Sequence, residues 1–146
     1  VGNHLIGFEN HLEAMVELSR GLLAHTPGET LLGGIPAGFL LAAVAWSLPA
    51  GRGQEFWIIL FFTYFVGLGG FAHVVAGSGE AWLLVVTGEA SLQFAIFGFI
   101  LPALAGNVIG GTLIFALLAH AQVSPELAGA EKKGAQNDGP ETRVGY

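Results

Sequence analysis

The stretch Gly67-Leu68-Gly69-Gly70-Phe71-Ala72-His73-Val74-Val75-Ala76-Gly77-Ser78-Gly79-Glu80 decides how this chain is read. It lies inside a hydrophobic region from Glu55 to about Val86. As one continuous helix that region would be about 48 Å long, too long for one simple crossing of a hydrocarbon core of about 30 Å. Glycines crowd both sides of a lone histidine. The pattern predicts two half-helices, about 55–74 and 80–87, joined by irregular backbone near 75–80. Irregular backbone at membrane depth survives only where protein or a wet cavity surrounds it. A histidine in such a place faces a bundle interior or a water pathway.

The rest of the composition sets this region in a bilayer. Charged residues make up 11% of the 146 and hydrophobic ones 53%, against about a quarter charged in an ordinary soluble domain. Leu31 to Gly51 carries no charge, Trp57 to Gly79 only His73, and Ala90 to Pro125 none, though it includes His120. Each stretch meets the requirement of roughly 20 apolar residues per crossing. The competing reading is a large buried soluble core. The 23 glycines weigh against it, because Gly costs a soluble helix about 1 kcal/mol relative to Ala, whereas in lipid it lets helix backbones approach. The net charge of −6 and the lack of a basic patch exclude nucleic acid as a partner. Without cysteine there is no thiolate metal site.

Working outward, the expected order is an extracytoplasmic amphipathic segment over 1–30, a transmembrane half-channel over 31–121, and a disordered cytoplasmic tail over 122–146. Glu9, Glu13 and Glu17 recur every four residues opposite Leu5, Phe8, Leu12, Met15 and Val16, which predicts an amphipathic helix over about Phe8 to Ala24. Residues 1–30 lack the cationic start and apolar run of a signal peptide. Glu17 and Arg20 are spaced to pair across one turn. His25-Thr26-Pro27-Gly28-Glu29-Thr30 is a turn that restarts a helix. The predicted spans are about 31–48, 55–87 with its break near 75–80, and 91–121. Three crossings put the termini on opposite sides. Arg52, Lys132, Lys133 and Arg143 then share a side, which the positive-inside rule makes cytoplasmic. The odd number of spans implies further sequence before Val1.

Among candidate functional residues, His73 reads either as an anion-binding group beside the break or as a hydrogen-bonded interface residue. A half-helix starting near Ser78 to Trp82 would point its N-terminus at an anion. Glu80 reads as a cap on that half-helix, with a proton relay as the other possibility. Asn107 reads as an interhelical hydrogen-bonding residue, with pore lining as its alternative. Gly106, Gly110 and Gly111 share a face suited to close packing. Trp46, Trp57 and Trp82 suit membrane interfaces or helix packing, and His120 an interfacial position. His4, His11 and His25 have no metal-ligand spacing. No metal, cofactor or catalytic pair is assigned, and the chain does not read as an enzyme.

Three segments carry a family resemblance. Gly70-Phe71-Ala72-His73-Val74-Val75-Ala76-Gly77 resembles the fifth helix of the formate/nitrite transporter family, where Gly-Phe-x-His precedes a chain break. Leu101-Pro102-Ala103-Leu104-Ala105-Gly106-Asn107-Val108-Ile109-Gly110-Gly111 resembles its sixth helix, and Ile35-Pro36-Ala37-Gly38-Phe39-Leu40-Leu41-Ala42-Ala43-Val44-Ala45-Trp46 its fourth. The resemblance spans about 30–121 and implies the C-terminal half of an all-α, aquaporin-like membrane protein with inverted three-helix halves. It further implies a homopentamer in the bacterial inner membrane that passes small monovalent anions such as formate or nitrite, with His73 at the pore. Gly77, Ser78 and Gly79 are then expected as a gate-like segment, Phe65, Val66 and Phe71 as an apolar constriction, and Asn107 as a further pore candidate. The chain departs from the family pattern at Gly38 and Gly77, where Asn is usual, and at Ala72, where Glu is usual. It also has no lysine ahead of the fourth helix. A channel for neutral small solutes, or a non-transporting membrane assembly protein, are the alternative functions.

Overall fold

The computed structural model describes residues 2–124, with side chains from Glu9 onward. Of the expected tail, 122–124 are helical, and the rest lies outside the described residues. Helix α1 spans Gly2–Ser19 and continues as a tighter 3-10 turn, Arg20–Ala24. Then come α2 (Pro27–Ser47), α3 (Glu55–Leu68), α4 (Val74–Val86) and α5 (Phe94–Ser124). No strand occurs among the described residues.

Helix α2 begins four residues before the predicted span because Thr26 and Glu29 form a capping box. The Thr26 hydroxyl accepts from the Glu29 N–H at 3.3 Å, and the Glu29 carboxylate accepts from the Thr26 N–H at 2.8 Å. Pro27 takes the first helical position, where its missing N–H is no loss. Helix α5 is not uniformly wound. Phe94–Ile100 and Ile109–Ile114 widen to π-type turns, with the Leu101 N–H donating to the Ile96 carbonyl and that of Phe115 to Gly110. Pro102 contributes to the first of these, since it has no N–H for the carbonyl four residues back and its ring crowds that carbonyl.

Two helices, α2 and α5, are long and apolar enough to cross a membrane, at 21 and 31 residues. Most of their apolar windows are half-buried or exposed rather than fully buried. Phe56, Trp57, Phe61, Tyr64, Phe97 and Val108 likewise lie on the surface. A soluble protein rarely exposes so much contiguous apolar area, so these faces meet lipid or other membrane helices. Helices α3 and α4 have 14 and 13 residues, about 20 Å each, and neither alone reaches across a core of about 30 Å.

Helices α2 and α5 pack backbone to backbone. A Cβ on Gly34 would stand 2.9 Å from the Ala103 carbonyl oxygen. One on Gly106 would overlap the Leu31 carbonyl, one on Gly110 that of Ile35, and one on Gly38 the Asn107 backbone. Glycines spaced four apart on both helices make the approach possible. A second cluster joins α4 to α5 through Ala81, Ala95, Phe99 and Ala103, all buried, with Leu22 of the 3-10 turn packed against it.

The non-helical backbone lies at Gly69–His73, earlier than predicted. Residues 75–80 are helical, so Gly77, Ser78 and Gly79 do not form an irregular segment. Helix α3 ends at Leu68 because Gly70, at φ +60°, closes a Schellman motif. The Phe71 N–H donates to Val66 at 3.1 Å and the Gly70 N–H to Gly67 at 3.1 Å. Gly77 meets a packing requirement instead, since a Cβ there would overlap the Phe99 ring.

Candidate functional site

The segment Gly69–His73 leaves backbone groups that no helix satisfies, and two side chains take them up. Asn107, from the middle of α5, donates through Nδ2 to the Ala72 carbonyl at 2.8 Å and the Gly34 carbonyl at 2.9 Å. Its Oδ1 accepts from the Val74 N–H at 3.1 Å. One amide thus holds α2, the break and the start of α4 together. The Ala72 N–H donates in turn to the Gly33 carbonyl at 3.2 Å. Both amide hydrogens of Asn107 are engaged in bonds to backbone carbonyls outside its own helix.

His73 supplies the other cap. It is the residue before α4, and its Nδ1 accepts from the Val75 N–H at 3.1 Å. An accepting Nδ1 carries no hydrogen, so in the neutral ring the hydrogen sits on Nε2. Nε2 has no hydrogen-bond partner among the described residues. The helix N-terminus predicted near Ser78 therefore lies at Val74, and Glu80, in the second turn of α4, does not cap it.

His73 borders an open cavity of about 610 Å³. Leu18, Gly21 and Leu22 at the end of α1, His25 of the following turn, and Glu29, Thr30 and Gly33 of α2 form one part of its wall. Thr63, Val66 and Gly67 of α3, Gly70 to His73 of the break, Ala76, Gly77 and Glu80 of α4, and Phe99 of α5 complete it. Of the predicted site residues, His73, Phe71, Val66 and Gly77 come together here. Phe65 does not; it lines a separate apolar groove with Ile35, Pro36, Phe39, Leu40, Phe71 and Ile114. Ser78 is turned to its own helix, donating to the Val75 carbonyl at 2.9 Å, and Gly79 faces open space. Sequence reasoning missed Leu22, His25, Thr30 and Thr63 as wall residues. They are scattered over more than forty positions with no periodic signal to connect them. No group of residues able to hold a metal occurs among the described residues.

The end of α1 is fastened beside the cavity by charge. Arg20 donates from Nη2 and Nε to the two oxygens of Glu89, at 2.7 and 3.3 Å, and from Nη1 to Glu17. The Glu17 pairing was expected. The one to Glu89, in the turn after α4, links residues 69 apart. Hydrogen bonding from Arg20, then its charge, hold the Glu89 carboxyl below its ordinary range.

With this geometry in view, comparison with known proteins is informative. The family model described as formate/nitrite transporter matches residues 2–121. The inner membrane protein YfdC of Escherichia coli (strain K12) is 35% identical over 128 residues, which cover 88% of this chain and 41% of YfdC. The chain thus spans about two fifths of the length of that curated relative. No solved structure matches. The predicted location, a multi-pass protein of the bacterial inner membrane, agrees with the description of YfdC and with the exposed apolar helices.

Proposed function

This chain belongs to the formate/nitrite transporter family, and from that premise we propose that it is the C-terminal half of a channel for small monovalent anions such as formate or nitrite, with His73 at the pore. In this reading α3 and α4 together make one interrupted span. The open side of the His73 cavity faces the other half of an aquaporin-like inverted repeat, and five such subunits assemble. The Arg52 turn faces the cytoplasm, and the Arg20–Glu89 end faces outward.

The observation that carries the proposal is the state of His73. Its Nδ1 is committed to capping α4, which leaves Nε2–H as a donor on a ring that borders the cavity. A small anion stripped of water at membrane depth loses several kcal/mol of hydration, and donors at the constriction restore part of it. Val66 and Phe71 supply apolar wall to the same cavity. The same Nε2–H serves the protonated acid, by donating to its carbonyl oxygen.

The test separates the two roles of the ring. Asn is a strong N-cap, so His73→Asn retains the cap on α4 but is too short to replace Nε2–H. His73→Phe removes both. Formate and nitrite uptake into liposomes holding the full-length protein is expected to fall about tenfold or more in both variants, the worth of one good hydrogen bond. The melting midpoint in detergent should drop only for His73→Phe. Glycerol uptake measured alongside checks for a neutral-solute channel. Wild-type formate and nitrite uptake in both variants would remove His73 from the mechanism.

A further inference from the structure

Thr30 lies near the start of α2 and is 4% exposed. A helical threonine commonly returns its hydroxyl to a carbonyl of the preceding turn, as Thr63 does to Ile59 and Thr87 to Leu83. The Thr30 hydroxyl makes no such bond and has no partner among the described residues. No fully enclosed side-chain oxygen among them lacks a partner, so Oγ1 of Thr30 meets open space, and the space that Thr30 lines is the His73 cavity. A nearly buried hydroxyl without a bond is costly, so this one takes its partner from what fills the cavity. Thr30 also stands close to where α2 meets the break. Gly33, three residues or about 4.5 Å further along the helix, lines the same cavity and accepts from the Ala72 N–H at 3.2 Å. The other polar wall residues offer less. Thr63 commits its hydrogen to its own helix, Glu29 is engaged by Thr26, and His25 and Glu80 are exposed. Thr30 and His73 remain as the sheltered donors of the wall, at Oγ1–H and Nε2–H.

We propose that Thr30 is a second solute-contacting residue, whose hydroxyl donates to one oxygen of the anion while Nε2–H of His73 donates to the other. The inference rests on the channel reading above and narrows its solute class to anions with two oxygens on one centre, the shape that formate and nitrite share. A single-atom anion such as chloride offers no second acceptor, and a site that leaves a sheltered donor unpaired discriminates against it.

The measurement is uptake of formate and, separately, of chloride into liposomes holding the full-length protein. Thr30→Val keeps the shape of the side chain and removes the hydroxyl. Its formate uptake is expected to fall about tenfold or more, the worth of one hydrogen bond to a charged group, with chloride uptake and the melting midpoint in detergent unchanged. Thr30→Ser, which keeps the hydroxyl, should take up formate as the wild type does. If Thr30→Val does not yield folded protein, Thr30→Ala carries the same expectation for formate and chloride. Wild-type formate uptake in the folded apolar variant, an equal loss of formate and chloride, or a loss in Thr30→Ser as large as in Thr30→Val overturns the assignment of Thr30 and leaves the channel reading standing. Absence of formate uptake by the folded wild type overturns the channel reading and this inference together.

Discussion

Asn107 and His73 both place polar atoms beside the same five-residue interruption, and they are used in opposite ways. Asn107 sits in a seam where glycines on α2 and α5 bring two backbones into contact, and its amide answers three backbone groups at once. His73 answers one with Nδ1 and borders a cavity with the rest of the ring. A polar group buried in protein at membrane depth stays only if it is satisfied. The seam meets that condition internally, whereas on the cavity side Nε2 of His73 has no protein partner among the described residues. The contrast separates what holds the break open from what the opening is for.

The sharpest way to break the comparison is to part the seam. Gly110→Val puts a branched side chain where a single Cβ already overlaps the Ile35 carbonyl. A rotamer change cannot relieve a clash with backbone, so α2 and α5 must separate. The expected cost is about 3 kcal/mol or more, at the top of the range for overpacked sites. It should be read as failure to recover folded protein by size-exclusion chromatography in detergent. Gly79→Val, on the same chain but facing open space, should elute as wild type. Equal recovery of Gly110→Val would mean that the close approach is not what joins these helices.

Asn107→Ala asks a finer question, because it removes the satisfaction and leaves the packing. The Ala72 and Gly34 carbonyls and the Val74 N–H lose their partner together. An unsatisfied buried group costs about 1–3 kcal/mol, and water entering from the cavity offsets part of that. A net loss of about 2 kcal/mol, seen as a lower melting midpoint, is expected. Hydrogen exchange should rise at Val74 more than at residues in the middle of α2. A loss confined to flux, with melting and exchange unchanged, would return Asn107 to the pore.

How much of this was legible beforehand follows from the same contrast. One side of the seam was legible, since Gly106 and Gly110 stand at four-residue spacing in an uncharged segment with Asn107 conspicuous among them; that Gly34 and Gly38 of α2 form the other side needed the fold. The exact site of the interruption was hidden by a competing signal. Gly77-Ser78-Gly79 has the composition of a helix breaker, yet Gly77 is small because the Phe99 ring lies against it, a tertiary fact no local pattern contains. The true stop depends on Gly70 taking a positive φ, and the restart on His73, a residue type outside the usual N-cap set. The cavity was the least legible feature. Its wall draws on all five helices and two connections, so only the fold assembles it. The Arg20–Glu89 pair could be inferred only as two opposite charges placed on the same side by the span count.

That ion pair gives the smallest expected effect and tests whether the cavity has a movable side. The end of α1 contributes Leu18, Gly21 and Leu22 to the wall and is fastened across the molecule by Arg20 and Glu89. The Glu89 carboxyl is held below its ordinary range by the hydrogen bonds and charge of Arg20. A folded value depressed below the unfolded one means that the pair stabilises the docked arrangement above the unfolded value. That contribution fades as pH falls from about 4 toward the folded value. Arg20 stays charged throughout, and salt should weaken the pair because it is exposed. Hydrogen exchange over residues 20–24 is therefore expected to rise below about pH 4 and at high salt in the wild type. In Glu89→Gln, with rates corrected for the intrinsic pH dependence of exchange, protection should be slightly lower at neutral pH and should change less with acid or salt, the Arg20–Glu17 pair remaining, while protection in the α2–α5 seam stays level in both. If the 20–24 segment exchanges alike in the two proteins at every pH, then Leu22 and its apolar neighbours hold that wall in place and the charges do not.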